Sequence, residues 1–199
     1  MYEMLMNAKK TAPGLACLTN EARSTALRNM ASSLLSNADA ILSANKADMD
    51  AAKGHISPVM LDRLSLNHER LTEMAKGILS VANLPDPLDI ELDSHTRADG
   101  LLIRKVSIPI GVVAIIYESR PNVTADTAAL AVKSGNVCVL RSGKEAFCSA
   151  NAIVDALKEG LRVSGISEYA VNPPLMHLRW HLQSRKPPCR CEAHRHCRF

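Results

Sequence analysis

Two short polar stretches, Tyr117-Glu118-Ser119-Arg120-Pro121-Asn122 and Arg141-Ser142-Gly143-Lys144-Glu145, hold residue types that bind anions and polarise carbonyls. Arg120, Arg141 and Lys144 bring positive charge, and a guanidinium can meet a carboxylate or phosphate through two hydrogen bonds. An Arg-Pro-Asn tripeptide by itself is most simply a chain turn. Ser142 and Gly143, just ahead of a helix, offer backbone N–H groups to a phosphate. Glu118 and Arg120 either pair with each other or touch substrate, and the sequence leaves both open.

A second collection of reactive types closes the chain: Cys189, Cys191, His194, His196 and Cys197 fall within nine residues. Structural zinc sites use ligand pairs two to four residues apart with a longer spacer between the pairs. Cys-x-Cys followed at once by His-x-His-Cys does not fit that spacing, so no metal site is expected. Residues 173–199 also hold six Lys or Arg against one Glu, four of seven His, four of ten Pro and the only Trp. That composition is what a GC-rich gene gives when read out of frame, and the expectation for 172–199 is a disordered tail foreign to the rest.

The elements that must position the two polar stretches follow from periodicity. Residues 1–87 read as helical, with apolar stripes through Ala26–Leu42, a Ser57-Pro58 helix start, and a stripe from Leu71 to Leu79 that stops at the prolines 85 and 87. Residues 88–108 alternate on either side of Ala98-Asp99-Gly100, a hairpin signal. An isolated hairpin is marginal alone, which makes this one a candidate oligomerisation arm. Over 109–171 a βαβα unit is expected. Val112–Ile116 reads as a strand buried on both faces, and a helix follows from about Val123 to Lys133. Val137–Leu140 is a second strand, and another helix runs from Ala146 to about Val163. Parallel sheets of this kind bind ligands at the carboxyl ends of their strands, where both polar stretches fall.

Composition sets the class. Hydrophobic residues make up 47% of the 199 and aromatics 3%, so the core must be built from Ala, Leu, Val, Ile and Met. The formal charge of +4 comes from the tail: the first 172 residues hold 18 basic and 19 acidic side chains. A basic face for nucleic acid is therefore not indicated. No apolar run is long enough for a bilayer, and residues 1–16 lack a secretory pattern, so a cytoplasmic protein is expected.

There is no GxGxxG and no Walker lysine loop. Pro109–Ile116, Tyr117–Thr124, Lys133-Ser134-Gly135-Asn136 and Leu140–Glu145, with the upstream Asn45-Lys46-Ala47-Asp48 and Met60-Leu61-Asp62-Arg63-Leu64, together resemble the gamma-glutamyl phosphate reductases of the aldehyde dehydrogenase superfamily. The resemblance covers about 170 residues. It implies an α/β fold: N-terminal helices plus an incomplete, Rossmann-like NADP-binding domain without the usual glycine fingerprint. It further implies NADPH-dependent reduction of L-glutamate 5-phosphate (L-glutamyl 5-phosphate) to the semialdehyde, in proline biosynthesis, through a cysteine thioester. By motif position Asn122 supplies an oxyanion donor, while Ile116, Tyr117, Arg141, Ser142, Gly143 and Lys144 contact NADPH. Lys144 falls where NAD-preferring relatives carry a glutamate, and an ammonium there suits the 2′-phosphate of NADP. The resemblance also allows pairing into a homo-oligomer. The pattern fades before the catalytic cysteine, so this chain is expected to be inactive alone; the alternative is a non-catalytic NADP-binding or subunit-pairing fragment.

Overall fold

A computed structural model describes residues 2–174. Five helices come first: α1 (Tyr2–Ala16), α2 (Asn20–Ser36), α3 (Ala38–Ala52), α4 (Pro58–Leu64) and α5 (His68–Ala82). Their starts follow capping chemistry. Thr19, Ser57 and Asn67 accept hydrogen bonds from the backbone N–H groups of Ala22, Met60 and Arg70. Strands β1 (Glu91–Thr96) and β2 (Leu102–Val106) pair antiparallel, with Thr96 opposite Leu102 at the turn. Then come β3 (Val112–Ile116), α6 (Pro121–Lys133), β4 (Val137–Arg141), a 3-10 turn at Lys144–Ala146, α7 (Phe147–Val163) and β5 (Val171–Asn172).

β3, β4 and β5 form a parallel sheet in that spatial order, with Val112 opposite Val137 and Cys138 opposite Val171. β4 is the centre and is buried from Val137 to Leu140. Helices α1 and α6 pack on it, and α2 forms an outer layer against α5 and α7. Small residues make that layering close: a methyl on Gly160 of α7 would lie 2.5 Å from the Met30 backbone of α2.

Several motif residues serve this packing. Asp48 accepts from the backbone N–H groups of Cys148 (3.1 Å) and Ser149 (2.7 Å) and from the Ser149 hydroxyl (2.6 Å), so α3 caps the start of α7. Asn45 donates to the Leu64 carbonyl and to Ser149 Oγ and accepts from Leu66 N–H, joining α3, the end of α4 and α7. Buried Lys133 donates to Asn20, Ser24 and the Ala82 carbonyl, pinning α6 to the α2–α5 pair. The Asn136 side chain accepts from Gly111 N–H and sets the start of β3.

Four expectations are corrected. α6 begins at Pro121, not near Val123, because proline's fixed φ and missing N–H suit the first helical position; Asn122 therefore sits in the first helical turn. α7 begins at Phe147, with Ala146 ending the preceding 3-10 turn. β3 is not buried on both faces: Val112 is 39% and Ile116 63% exposed, since β3 is an outer strand paired only with β4 among the described residues. Asn172, expected at the start of a disordered tail, is instead buried in the sheet, donating to the carbonyls of Cys138 and Tyr169. The Cys189–Cys197 cluster lies outside the described residues. Among those described, no group of His, Cys, Asp and Glu is arranged to hold a metal, and no helix is long and apolar enough to cross a membrane.

Candidate active site and coenzyme edge

The carboxyl ends of β3 and β4 bring the two polar stretches side by side. Ile116 is opposite Arg141 in register, and Tyr117 N–H donates to the Arg141 carbonyl at 3.0 Å, so the strand pairing runs into both loops. Ser119 Oγ then donates to Glu145 Oε2 at 2.7 Å, a second clasp between them. That bond is the main reason the Glu145 carboxyl lies below its ordinary pKa. Between the clasps Gly143 has no space for a side chain: a Cβ would stand 2.3 Å from Ser119 Oγ. Ser142 is buried, and its hydroxyl has no hydrogen-bond partner among the described residues. Arg141 is half-buried and Lys144 exposed, and neither forms an ion pair within the described part.

Tyr117 is placed differently from the other expected contacts. Its hydroxyl shares a 2.7 Å hydrogen bond with Thr124 Oγ1 inside α6, and its ring packs on the core. Burial pushes the phenol up to about 12. Its side chain thus braces the loop against α6, and its backbone faces the strand end.

Arg120 and Asn122 lie together on the other flank, where α6 meets α4 and α5. They line a cleft of about 400 Å³ with Arg63, Arg70, Glu73 and Asp126. Glu118 and Arg120 do not pair through their side chains; the contact between them is Arg120 N–H to the Glu118 carbonyl. Sequence reasoning missed Ser119, Glu145 and the α4–α5 wall of the cleft. The wall residues sit on helices whose apolar stripes drew the attention, and only the packing of α5 on α6 brings them to Asn122.

The described thiols are poorly suited to nucleophilic attack. Cys138 is buried in β4, which pushes its thiol up to about 12. Partial burial and the Asp48 carboxylate also raise Cys148. Cys17 follows α1, remote in sequence from either polar stretch.

An α/β unit of this topology, without a glycine fingerprint, is the fold of solved aldehyde dehydrogenases. A probable aldehyde dehydrogenase from Listeria monocytogenes matches with a TM-score of 0.64 at 14% identity, over 88% of this chain and 37% of its own. A glyceraldehyde-3-phosphate dehydrogenase from Methanocaldococcus jannaschii, in complex with NADP, matches at 0.55 and 19%, over 86% and 35%. These likenesses define the fold. Within that fold the chain is similar in sequence to gamma-glutamyl phosphate reductases. The enzyme of that name from Streptococcus suis is 55% identical over 160 residues, 80% of this chain and 38% of the relative. The crystal structure of the Thermotoga maritima enzyme matches with a TM-score of 0.82 at 39% identity, over 86% of this chain and 42% of its own. The chain thus spans about two fifths of the length of these relatives. No family model matches it.

Proposed function

We propose that this chain carries the coenzyme edge and the oxyanion side of an NADPH-dependent reductase of L-glutamate 5-phosphate. The product is the 5-semialdehyde, made in the cytoplasm on the way to proline. One observation carries the reading: the doubly clasped loops at the ends of β3 and β4, with the Gly143 cradle and the unpartnered Ser142 hydroxyl between them. The missing Cβ at Gly143 lets the loop after β3 close onto the loop after β4 through Ser119, and Ser142 offers a donor that nothing among the described residues uses. Arg141 and Lys144 suit a phosphorylated ribose, and Ile116 and the Tyr117 backbone border the same edge. Bound there, NADPH would supply the hydride that reduces the acyl group.

The chain's own residues would bind and orient. Asn122, in the first turn of α6, directs its amide toward a carbonyl oxygen as negative charge builds on it. The helix start adds its N-terminal partial positive charge. Glu118 and Arg120 stand at the substrate side of the same loop. The acyl thioester requires an activated thiolate, and neither Cys138 nor Cys148 is suited to provide one. The exposed β1–β2 hairpin is assigned to pairing between copies.

The test is calorimetric titration of the chain with NADPH and NADH. The wild type should prefer NADPH by about tenfold or more, and Lys144→Glu should erase most of that preference. An unchanged ratio in the variant would overturn the role given to Lys144. Absence of binding to either coenzyme would overturn the reading as a whole.

A further inference from the structure

The cleft beside Asn122 has a charge pattern that the coenzyme edge does not explain. Arg70 is fully engaged: it donates to the carbonyls of Asp62 and Ser65 and to Ser65 Oγ at 2.6–2.7 Å, and it pairs with the Asp62 carboxylate at 3.0 Å. That fork locks the end of α4 to the start of α5 and so fixes one wall. Four other charged groups line the cleft: Arg63, Arg120, Glu73 and Asp126. Among the described residues none of the four makes an ion pair, with one another or with anything else. Asp126 is half-buried with no hydrogen bond to its carboxylate among the described residues, and burial raises its pKa. Two cations and two anions share one cleft without neutralising each other.

Such an arrangement suits a ligand that carries both signs on neighbouring atoms. An α-amino acid head does so, with its carboxylate and ammonium on one carbon. The volume of about 400 Å³ is within the range of small-molecule sites. Asn122 lines the same cleft, so a ligand held by its head would extend its side-chain carbonyl toward that amide.

We infer that this cleft is the subsite for the α-amino acid head of the substrate, with Arg63 and Arg120 meeting the α-carboxylate and Asp126 and Glu73 the α-ammonium. The inference rests on the reductase reading and adds the residues that select an amino acid over a plain acyl phosphate.

The probes are L-glutamate, glutarate, which lacks the ammonium, and 4-aminobutyrate, which lacks the α-carboxylate. Each is titrated into the full chain and followed by amide chemical-shift changes, and NADPH is titrated into the same preparation. L-glutamate should shift residues 62–74 and 120–126, and each analogue should bind about tenfold more weakly, the loss of one charge-assisted contact. Arg63→Gln should abolish discrimination against 4-aminobutyrate, and Asp126→Asn discrimination against glutarate, with NADPH affinity retained as evidence of folding. Equal binding of all three compounds, or shifts outside the cleft, would overturn the inference. NADPH binding without L-glutamate binding would overturn it while leaving the coenzyme reading intact. Failure of both ligands would remove the two together.

Discussion

Gly143 and Ser119 decide between them how closely the two site loops approach. A methyl at 143 would collide with Ser119 Oγ at 2.3 Å and crowd Glu145 Oε2 at 3.0 Å. Gly143→Ala should therefore weaken NADPH binding and cost about 1–3 kcal/mol of stability by chemical denaturation. Adding Ser119→Ala should restore part of both. Tyr117 gives a pH-dependent counterpart. Its phenol rises from 10.0 to about 12, chiefly through burial, so the folded state holds the neutral form more tightly than the unfolded chain does. Stability from this group is whole below pH 10 and is lost as pH climbs from 10 toward 12. In ultraviolet titration one of the three tyrosines should ionise late, and Tyr117→Phe should remove that late step. At this scale the sequence was informative about residue type and silent about direction. The motif named Tyr117 as a coenzyme contact, yet its hydroxyl turns to Thr124 because a buried phenol must find a partner.

The elements explain why so many motif residues are not at the site. Asp48 caps a helix that begins about 100 residues later in the chain, and its loss would strand two N–H groups of α7 and the Ser149 hydroxyl. Asp48→Ala should lower stability by about 1–3 kcal/mol, read as a fall in melting temperature, while NADPH affinity measured well below that temperature changes little. Nothing in Asn45-Lys46-Ala47-Asp48 announces this role, since the partner is fixed only when α3 meets α7. The apolar stripes of α2 and α5 were readable because helical spacing is a local property. The outer position of β3 was not, because a run of Val and Ile looks the same at the centre of a sheet as at its edge. The edge shows only in the exposure of Val112 and Ile116.

For the molecule as a whole, the hairpin and the sheet divide the work. Every residue of β1 and β2 is exposed, including Leu92 at 60% and Leu102 at 57%. A hairpin that exposes Leu92, Leu102, Ile103 and Val106 gains by packing them on another surface. If it pairs copies, sedimentation velocity should show a concentration-dependent dimer or larger species, and Leu102→Lys should shift it toward monomer without loss of helical content. A monomer at all concentrations would remove the pairing role. The hairpin was legible from its alternation and Asp-Gly turn. Its lack of cover in the fold is a long-range property that alternation does not encode.

The central claim is that the paired loops after β3 and β4 hold NADPH. Backbone hydrogen exchange with and without NADPH tests it most directly. The account predicts slowed exchange in 116–122 and 141–147, with α3 and α5 unchanged. Protection elsewhere, or none under conditions where binding is saturated, would contradict it.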